Sequence, residues 1–317
     1  MQKIQKWTLN MDFEILKAKT ERLAELCRSD AEMGEKIVIT GHDMPDCDSI
    51  ISAVMLKTLL LRLGINTDVK FGTRPDGVTY RLMDELGLMG DICFDGFNSD
   101  DRLILVDHHV TFYNNEVKGC VDHHTTPPEP GFAFNLVEKA SSCGRIVHLM
   151  AVSCGVSDDW MERMAIYSVY FDTQSTRAPK FDKNDIPWLE DGINRLGLDE
   201  SELVKKGFCL NSLDEPIEVL AMYAYKRYEF NGVVSASTCI QIDPALDGWD
   251  DGIKNIIKFL QDRMSDNGEA MWALVVNKPA IMRSDIYFLR GTDVEIVKLN
   301  RLASRSKDVI PVAMSIK

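Results

Sequence analysis

Short apolar runs rich in β-branched residues alternate, over the first two hundred residues, with segments whose apolar positions recur every three or four residues. Strand, helix, strand and helix in alternation predict an α/β domain with a doubly wound parallel sheet. The strand candidates are KIVITG (36–41), TDVKFG (67–72), RLILVD (102–107) and GCVDHH (119–124). The helix candidates are 11–28, 48–64, 80–88, 137–153 and 159–170.

From about residue 183 the pattern changes, and a smaller α/β domain is predicted after a hinge near NSLDEP (211–216). We expect a first domain over 1–208, in which 1–35 form a leading helical extension, and a second domain over 213–317. The second half of the chain predicts helices at 183–196, 199–207, 215–230 and 253–264, a turn at Asn231-Gly232, and strands at 233–243, 271–277 and 285–291.

The composition is that of an ordinary globular protein, with 317 residues, 45% of them hydrophobic and 27% charged. The net charge of −13 argues against bulk binding of nucleic acid or of an anionic membrane. The start MQKIQKWTLN lacks an apolar signal-peptide core, and no window approaches the roughly 18 apolar residues of a membrane span. The eight cysteines form no CxxC pair, so we expect reduced thiols in a cytoplasmic protein.

Polar side chains follow the predicted strands at the sheet edge where ligands bind in such folds. Five of the six histidines fall in GHDMPDCDSI (41–50), ILVDHHV (104–110) and VDHHTTP (121–127), and MAIYSVYFDTQS (164–175) ends a long apolar helix in an aspartate. Mixed imidazole and carboxylate donors suit Mn²⁺, Mg²⁺ or Zn²⁺. Loop polar groups with Asp48 as a helix N-cap remain the alternative for the first segment. Together the four segments offer His42, Asp46, Asp48, Asp107, Asp122, His123, His124 and Asp172, which is enough for two metals.

The order HxxxDxD, strand-end Asp, DHH and DT resembles the DHH phosphoesterase family, and GHDMPDCDSI is especially similar to manganese-dependent (family II) inorganic pyrophosphatases. The resemblance continues into AYKRYEFNG (224–232) and SRSKDVIP (304–311). It implies a metal-dependent phosphohydrolase with its site in the interdomain cleft, a small anionic phosphate substrate and a homodimer. The implied cofactors are two divalent cations, Mn²⁺ first, with Co²⁺ or Mg²⁺ as alternatives.

The resemblance also implies a role for each motif residue. One metal is expected on His42, Asp46 and Asp107, and the other on Asp48, His123 and Asp172, with Asp107 shared. A bridging hydroxide is expected to attack phosphorus, with Asp107 and His124 as the catalytic residues and Asp122 orienting the ligands. The expected phosphate-binding residues are Lys226, Arg305, Lys307 and His108.

Three departures from the family pattern leave the substrate open among pyrophosphate, polyphosphate ends and an organic phosphate ester. Ser306 stands where the family has a lysine, so Lys307 is a candidate replacement. STRAPKFDKND (175–185) replaces a threonine-rich run, and its Arg177 and Lys180 face either the phosphate site or solvent. The pair His108-His109 stands in place of His-Asn.

Other interpretations are carried alongside this one. If 107–109 were the third motif, Asp95 would have to supply the second, and 121–124 would have no role. A phosphodiesterase acting on short oligonucleotides or cyclic dinucleotides would be expected to carry a GGH segment near the C-terminus, which this chain lacks. A non-catalytic regulatory protein that retains the fold would be expected to have lost a metal ligand.

Overall fold

The computed structural model describes residues 12–109, 113–124, 132–178, 180–230, 232–303 and 305–315. These residues divide into two compact units, 1–207 and 208–317. The predictions for residues 1–11, for the last three residues of VDHHTTP and for Asn231 lie outside the described ranges.

The first unit contains a six-stranded parallel sheet in the order β3-β2-β1-β4-β5-β6. This confirms the α/β class and the parallel sheet. The strands are β1 (Lys36–Thr40), β2 (Asp68–Lys70), β3 (Ile92–Cys93), β4 (Asp101–Val106), β5 (Val117–Asp122) and β6 (Phe134–Val137). The helices are α1 (Phe13–Glu32), α2 (Cys47–Arg62), α3 (Gly77–Glu85), α4 (Cys143–Ser153), α5 (Asp159–Asp172), α6 (Ile186–Leu196) and α7 (Glu200–Gly207).

The strand order reverses between β1 and β4, which pair in parallel from Lys36 opposite Asp101 to Thr40 opposite Leu105. In open α/β sheets a reversal of this kind leaves a crevice beyond the carboxyl ends of the strands, where ligands bind. Helix α2, which follows β1, is almost wholly buried and packs against α4 and α5. The apolar core therefore fixes the loop between β1 and α2 directly above the reversal.

The second unit contains a mixed five-stranded sheet in the order β11-β10-β9-β8-β7. Its strands are β7 (Lys226–Phe230), β8 (Val233–Gln241), β9 (Met271–Lys278), β10 (Arg283–Arg290) and β11 (Asp293–Leu299), and its helices are α8 (Ile217–Ala221), α9 (Trp249–Asn267) and α10 (Ile310–Met314). Its core lies between the sheet and α9, where Ile256, Leu260 and Trp272 are fully buried.

The predicted helix over 215–230 is wrong in its second half. The helix ends at Ala221, and Lys226–Phe230 form an edge strand that pairs antiparallel with β8. Gly232 takes the left-handed conformation (φ 77°) that a tight hairpin needs, and the hairpin pairs Phe230 with Val233. Pairing with β8 therefore outweighs the helical spacing of the apolar residues in this segment.

Among the described residues, no helix is both long and apolar enough to cross a membrane. All eight cysteines are free thiols.

Candidate metal centre

The cluster of polar residues begins at the carboxyl ends of β1, β4 and β5, which are neighbours in the sheet. His42 follows β1, Asp107 follows β4, and Asp122 ends β5. Asp107 has a left-handed backbone (φ 61°), and its N–H donates to the Val121 carbonyl at 3.0 Å. Aspartate is among the residues that tolerate this conformation best. Three side chains from distant parts of the chain thus converge at one edge.

One donor set consists of His42, Asp46 and Asp107, whose nearest ligand atoms all lie within 4.8 Å of one another. His42 Nε2 is 3.7 Å from Asp46 Oδ2 and 3.6 Å from Asp107 Oδ2. The other ring nitrogen, Nδ1, donates to the Asp43 carbonyl at 2.9 Å. A histidine whose Nδ1 is held by a backbone carbonyl presents Nε2 to a metal.

A second donor set consists of Asp48, His123 and Asp172, and an overlapping group joins Asp107 and His123 to Asp122 and His124. His123 Nε2 is 3.8 Å from Asp48 Oδ2, 3.5 Å from Asp172 Oδ2 and 3.2 Å from Asp107 Oδ1. His123 Nδ1 donates to the Ala140 carbonyl at 3.2 Å, which turns Nε2 towards the carboxylates. Asp107 therefore directs one oxygen at each donor set.

Three atoms meet where Asp107 of the first set approaches the second set, and within the described residues they are buried without a hydrogen-bond partner. They are Asp107 Oδ1, His123 Nε2 and Asp172 Oδ2. Buried polar atoms without partners are costly, and a divalent cation satisfies oxygen and imidazole donors together. The residues present thus fit a divalent cation at each of the two sets.

Asp48 sits on the N-terminus of helix α4. Its Oδ2 accepts from the Cys143 N–H at 2.7 Å, and its Oδ1 accepts from the Gly144 N–H at 3.0 Å and from the Ser168 hydroxyl at 2.6 Å. Gly144 is required here, because a Cβ at this position would lie 2.4 Å from Ser168 Oγ. The positive end of the helix and the serine hydroxyl hold a buried carboxylate in one orientation.

The interpretation of Asp48 as the N-cap of α2 is wrong. The cap is Asp46, whose Oδ1 accepts from the Ser49 N–H at 3.0 Å. Asp48 lies in the first helical turn and points into the protein, where it is 1% exposed.

The pKa values of the cluster show how much negative charge is concentrated there. Burial, followed by the charges of Asp107 and Asp172, raises the pKa of Asp48 to about 7. Burial alone would lower the pKa of His123, but the close carboxylate of Asp107, with those of Asp172 and Asp48, raises it to about 10. The pKa of His42 also rises to about 10, against the effect of burial, because of Asp46 and Asp107. The site therefore strongly favours positive charge.

Asp122 is fully buried and is held between two histidines, His109 and His124. Its Oδ1 accepts from His124 Nδ1 at 2.7 Å and from the His123 N–H at 2.7 Å, and its Oδ2 accepts a short hydrogen bond from His109 Nδ1. The contact with His109 was not predicted from the sequence. Asp122 thereby orients His124, whose side chain is 53% exposed, while the His124 ring also packs edge-on against His123.

The remaining candidates in the first unit occupy distinct positions. His108 Nδ1 donates to the Val106 carbonyl at 3.0 Å, and its ring lies edge-on to His42 with centroids 6.3 Å apart. Asp95 is exposed after the outermost strand, β3, and the donor sets found among the described residues do not include it. Lys180 forms an ion pair with Asp172 through a short contact.

The predicted cations of the second unit lie on two adjoining segments. Lys226 begins β7, and Arg305 begins a turn of π-helix over Arg305–Val309. Arg305 Nη1 donates to the Ala224 carbonyl, two residues before Lys226. Lys307 is exposed on the same turn.

Residues 36–169 match the model of the DHH family, N-terminal domain. The first unit contains a DHH-family domain. A Shouchella clausii protein named "Probable manganese-dependent inorganic pyrophosphatase" is 32% identical over 96 residues, which are 28% of this chain and 31% of that protein. A Lactobacillus acidophilus protein of the same name is 23% identical over 312 residues, covering 87% of this chain and 97% of that protein. The chain thus spans about a third of the first relative and nearly all of the second.

Among solved structures, that of a Methanococcus jannaschii protein described as a "putative family II inorganic pyrophosphatase" superposes with a TM-score of 0.68 at 16% identity. The match covers 88% of this chain and 98% of that chain. At this identity the likeness shows a shared fold and nothing more.

Ser168→Ala is expected to weaken Mn²⁺ binding by about 10- to 100-fold, the range typical of outer partners of metal ligands. The substitution removes one of two hydroxyls that donate to Asp48 Oδ1. The Ser52 hydroxyl, at 3.1 Å, and the Cys143 and Gly144 N–H groups stay in place. Titration of Mn²⁺, followed by the electron paramagnetic resonance of the free ion, measures the effect. Ser153→Ala serves as the control, because Ser153 is a buried serine on α4 whose hydroxyl donates to the Met150 carbonyl at 2.7 Å. Equal affinities in the two variants would contradict this role of Ser168.

Proposed function

We propose that this metal-dependent phosphohydrolase cleaves phosphoanhydride bonds, in inorganic pyrophosphate or at polyphosphate ends, with two Mn²⁺ ions. The observation that carries the proposal is that Asp107 turns Oδ2 towards His42 and Oδ1 towards His123, so one carboxylate faces both donor sets. Relatives named as manganese-dependent inorganic pyrophosphatases support both the substrate class and the metal.

In this proposal His42, Asp46 and Asp107 hold one cation, and Asp48, Asp107, His123 and Asp172 hold the other. Paired divalent cations supply Lewis-acid polarisation of phosphoryl oxygens and a more acidic water. The ligand carboxylates are held in place by hydrogen bonds. The Ser49 hydroxyl donates to Asp107 Oδ2 at 2.7 Å, and backbone N–H groups at the start of α4 donate to Asp48.

His124 is suited to donate a proton to the leaving oxygen. Its Nδ1 is engaged by Asp122, so Nε2 is the ring atom that can face a substrate. The hydrogen bond to Asp122 raises the pKa of His124 above its usual value and so favours the protonated ring that a proton donor needs. His108, beside His42, and the second unit's Lys226, Arg305 and Lys307 are proposed to bind phosphate oxygens, since arginine and lysine are the usual phosphate ligands.

A phosphate-release panel tests the proposal. We expect chelator-stripped protein to be inactive and added Mn²⁺ to restore release of inorganic phosphate from pyrophosphate, tripolyphosphate or long polyphosphate. A cyclic dinucleotide and a linear dinucleotide, with product nucleotides followed by chromatography, complete the panel. Cleavage of the dinucleotides alone would identify a phosphodiesterase instead. Full activity in the presence of chelator would overturn the metal-dependent mechanism, and protein that binds Mn²⁺ but cleaves nothing would indicate a regulatory role.

A further inference from the structure

The loop after α5 contains three consecutive non-glycine residues with left-handed backbones, Gln174, Ser175 and Thr176, with φ angles of 50°, 58° and 65°. Such residues are uncommon, are strained and persist only where the surroundings hold them. Here the Ser175 N–H donates to the Tyr170 carbonyl at 2.7 Å, and its hydroxyl donates to the Val204 carbonyl at 2.7 Å. The loop conformation is therefore enforced by α5 and α7.

This left-handed turn reverses the chain so that Lys180 returns to Asp172, eight residues earlier. The Lys180 ammonium contacts Asp172 Oδ1, whereas Asp172 Oδ2 faces His123 Nε2 at 3.5 Å. The ammonium and the proposed metal position thus share one carboxylate through different oxygens. A lysine in this place lies beside the cation-binding cluster and need not leave when Oδ2 binds a metal.

Lys180 brings the positive charge of an ammonium group to the cluster of carboxylates. Among the described residues, all other ion pairs of the cluster carboxylates involve histidines, and Lys180 is the single lysine or arginine. Two divalent cations would offset the four proposed ligand aspartates, Asp46, Asp48, Asp107 and Asp172. The charge of an incoming phosphate would then need a further cation, which the first unit supplies at this position.

The Lys180 side chain is also able to reach a ligand. It is 46% exposed, and within the described part of the chain the Asp172 carboxylate is its one hydrogen-bond partner. An ammonium has three N–H donors, so two remain for oxygens of an anion. The flexible four-carbon stem allows the group to shift towards that anion without moving the backbone.

We propose that Lys180 binds a phosphoryl oxygen of the substrate and of the inorganic phosphate product from within the DHH-family unit. The inference rests on the proposed function and extends it with a phosphate-binding residue in the loop that follows Asp172. It also assigns a purpose to the left-handed turn, which is to carry an ammonium back to the cluster.

The experiment compares Lys180→Ala, Lys180→Arg and the control Lys183→Ala, which removes an exposed lysine three residues further along the chain. Calorimetric titration of inorganic phosphate into the Mn²⁺-loaded full chain measures binding. We expect Lys180→Ala to weaken it by about 10- to 100-fold, the range for a hydrogen bond to a charged group. Lys180→Arg should recover part of the loss, and Lys183→Ala should bind like the original protein.

A second measurement, Mn²⁺ affinity, separates ligand binding from a purely structural role. Lys180→Ala should keep or increase Mn²⁺ affinity, because it removes a competing positive charge from Asp172. Unchanged phosphate binding together with weaker Mn²⁺ binding would mean that Lys180 only orients Asp172, which overturns the inference but not the proposed function. If the unmodified, Mn²⁺-loaded protein neither binds phosphate nor hydrolyses any anhydride, the proposed function fails, and this inference fails with it.

Discussion

Asp107→Asn is expected to lower phosphate release by more than about 100-fold and to weaken Mn²⁺ binding, since even outer partners of metal ligands cost up to about 100-fold. Asp107 faces both donor sets, with Oδ2 3.6 Å from His42 Nε2 and Oδ1 3.2 Å from His123 Nε2. Removing its charge therefore impairs two cation positions together. Colorimetric phosphate assays and Mn²⁺ titration measure the two effects.

Asparagine is the informative replacement, because it keeps the size of the side chain and tolerates the left-handed backbone at this position. Asp95→Asn is the matched control, since it removes a strand-end carboxylate that belongs to no donor set among the described residues. The alternative in which Asp95 belongs to the second motif makes the opposite prediction for this control. Loss of activity in Asp95→Asn with retention in Asp107→Asn would favour that alternative.

Arg145→Met is expected to lower the free energy of unfolding by about 3–5 kcal/mol, the cost of removing one partner from a buried ion pair. Arg145 is 1% exposed, its Nε donates to Asp185 Oδ1 at 2.9 Å, and its guanidinium lies 3.7 Å from the centre of a Trp188 ring. Methionine fills much of the volume but leaves the Asp185 carboxylate buried without its cation. Urea unfolding followed by circular dichroism measures the loss.

Arg145 also contributes to stability through a hydrogen bond to His148. Burial and the Arg145 charge hold the pKa of His148 well below its usual value, so a neutral ring accepts from Arg145 Nη1 at 3.1 Å. Lys205→Met, which removes an exposed ion pair with Glu202 on α7, is the control and should cost no more than about 1 kcal/mol. A similarly small loss in Arg145→Met would show that the buried pair contributes little to stability.

Much of the first unit could be predicted because strand ends and helix periods are local properties. The runs that precede His42 and Asp107 are short, β-branched and apolar, and the structure has a parallel strand at each. Alternating strands and helices predict parallel strands, and parallel strands place His42, Asp107 and Asp122 at one edge of the sheet. No knowledge of side-chain contacts is needed for this step. The two residues of β3 were missed because they carry too little pattern. The predicted helix over 137–153 is wrong at its start, because β6 ends at Val137 and α4 begins at Cys143.

What could not be predicted depends on contacts between distant segments. The hydrogen bonds from Gly144 and Ser168 to Asp48 join residues 96 and 120 positions apart. Nothing in the sequence around Asp48, Gly144 or Ser168 indicates these contacts. The return of Lys180 to Asp172 depends on a left-handed turn of three residues that have no strong preference for it. In the second unit, tertiary pairing likewise overrode the helical pattern over Lys226–Phe230.

The neighbouring positions of β1 and β4 have a kinetic consequence. The first paired residues, Lys36 and Asp101, are 101 − 36 = 65 positions apart, so their contact closes a long loop before His42 and Asp107 can meet. Contacts of such sequence separation form slowly, because chain entropy is lost before they stabilise the fold. A cation that binds to both residues therefore cannot guide the early collapse of the chain. It binds only to molecules in which β1 and β4 have already paired, so cation binding marks a late stage of folding.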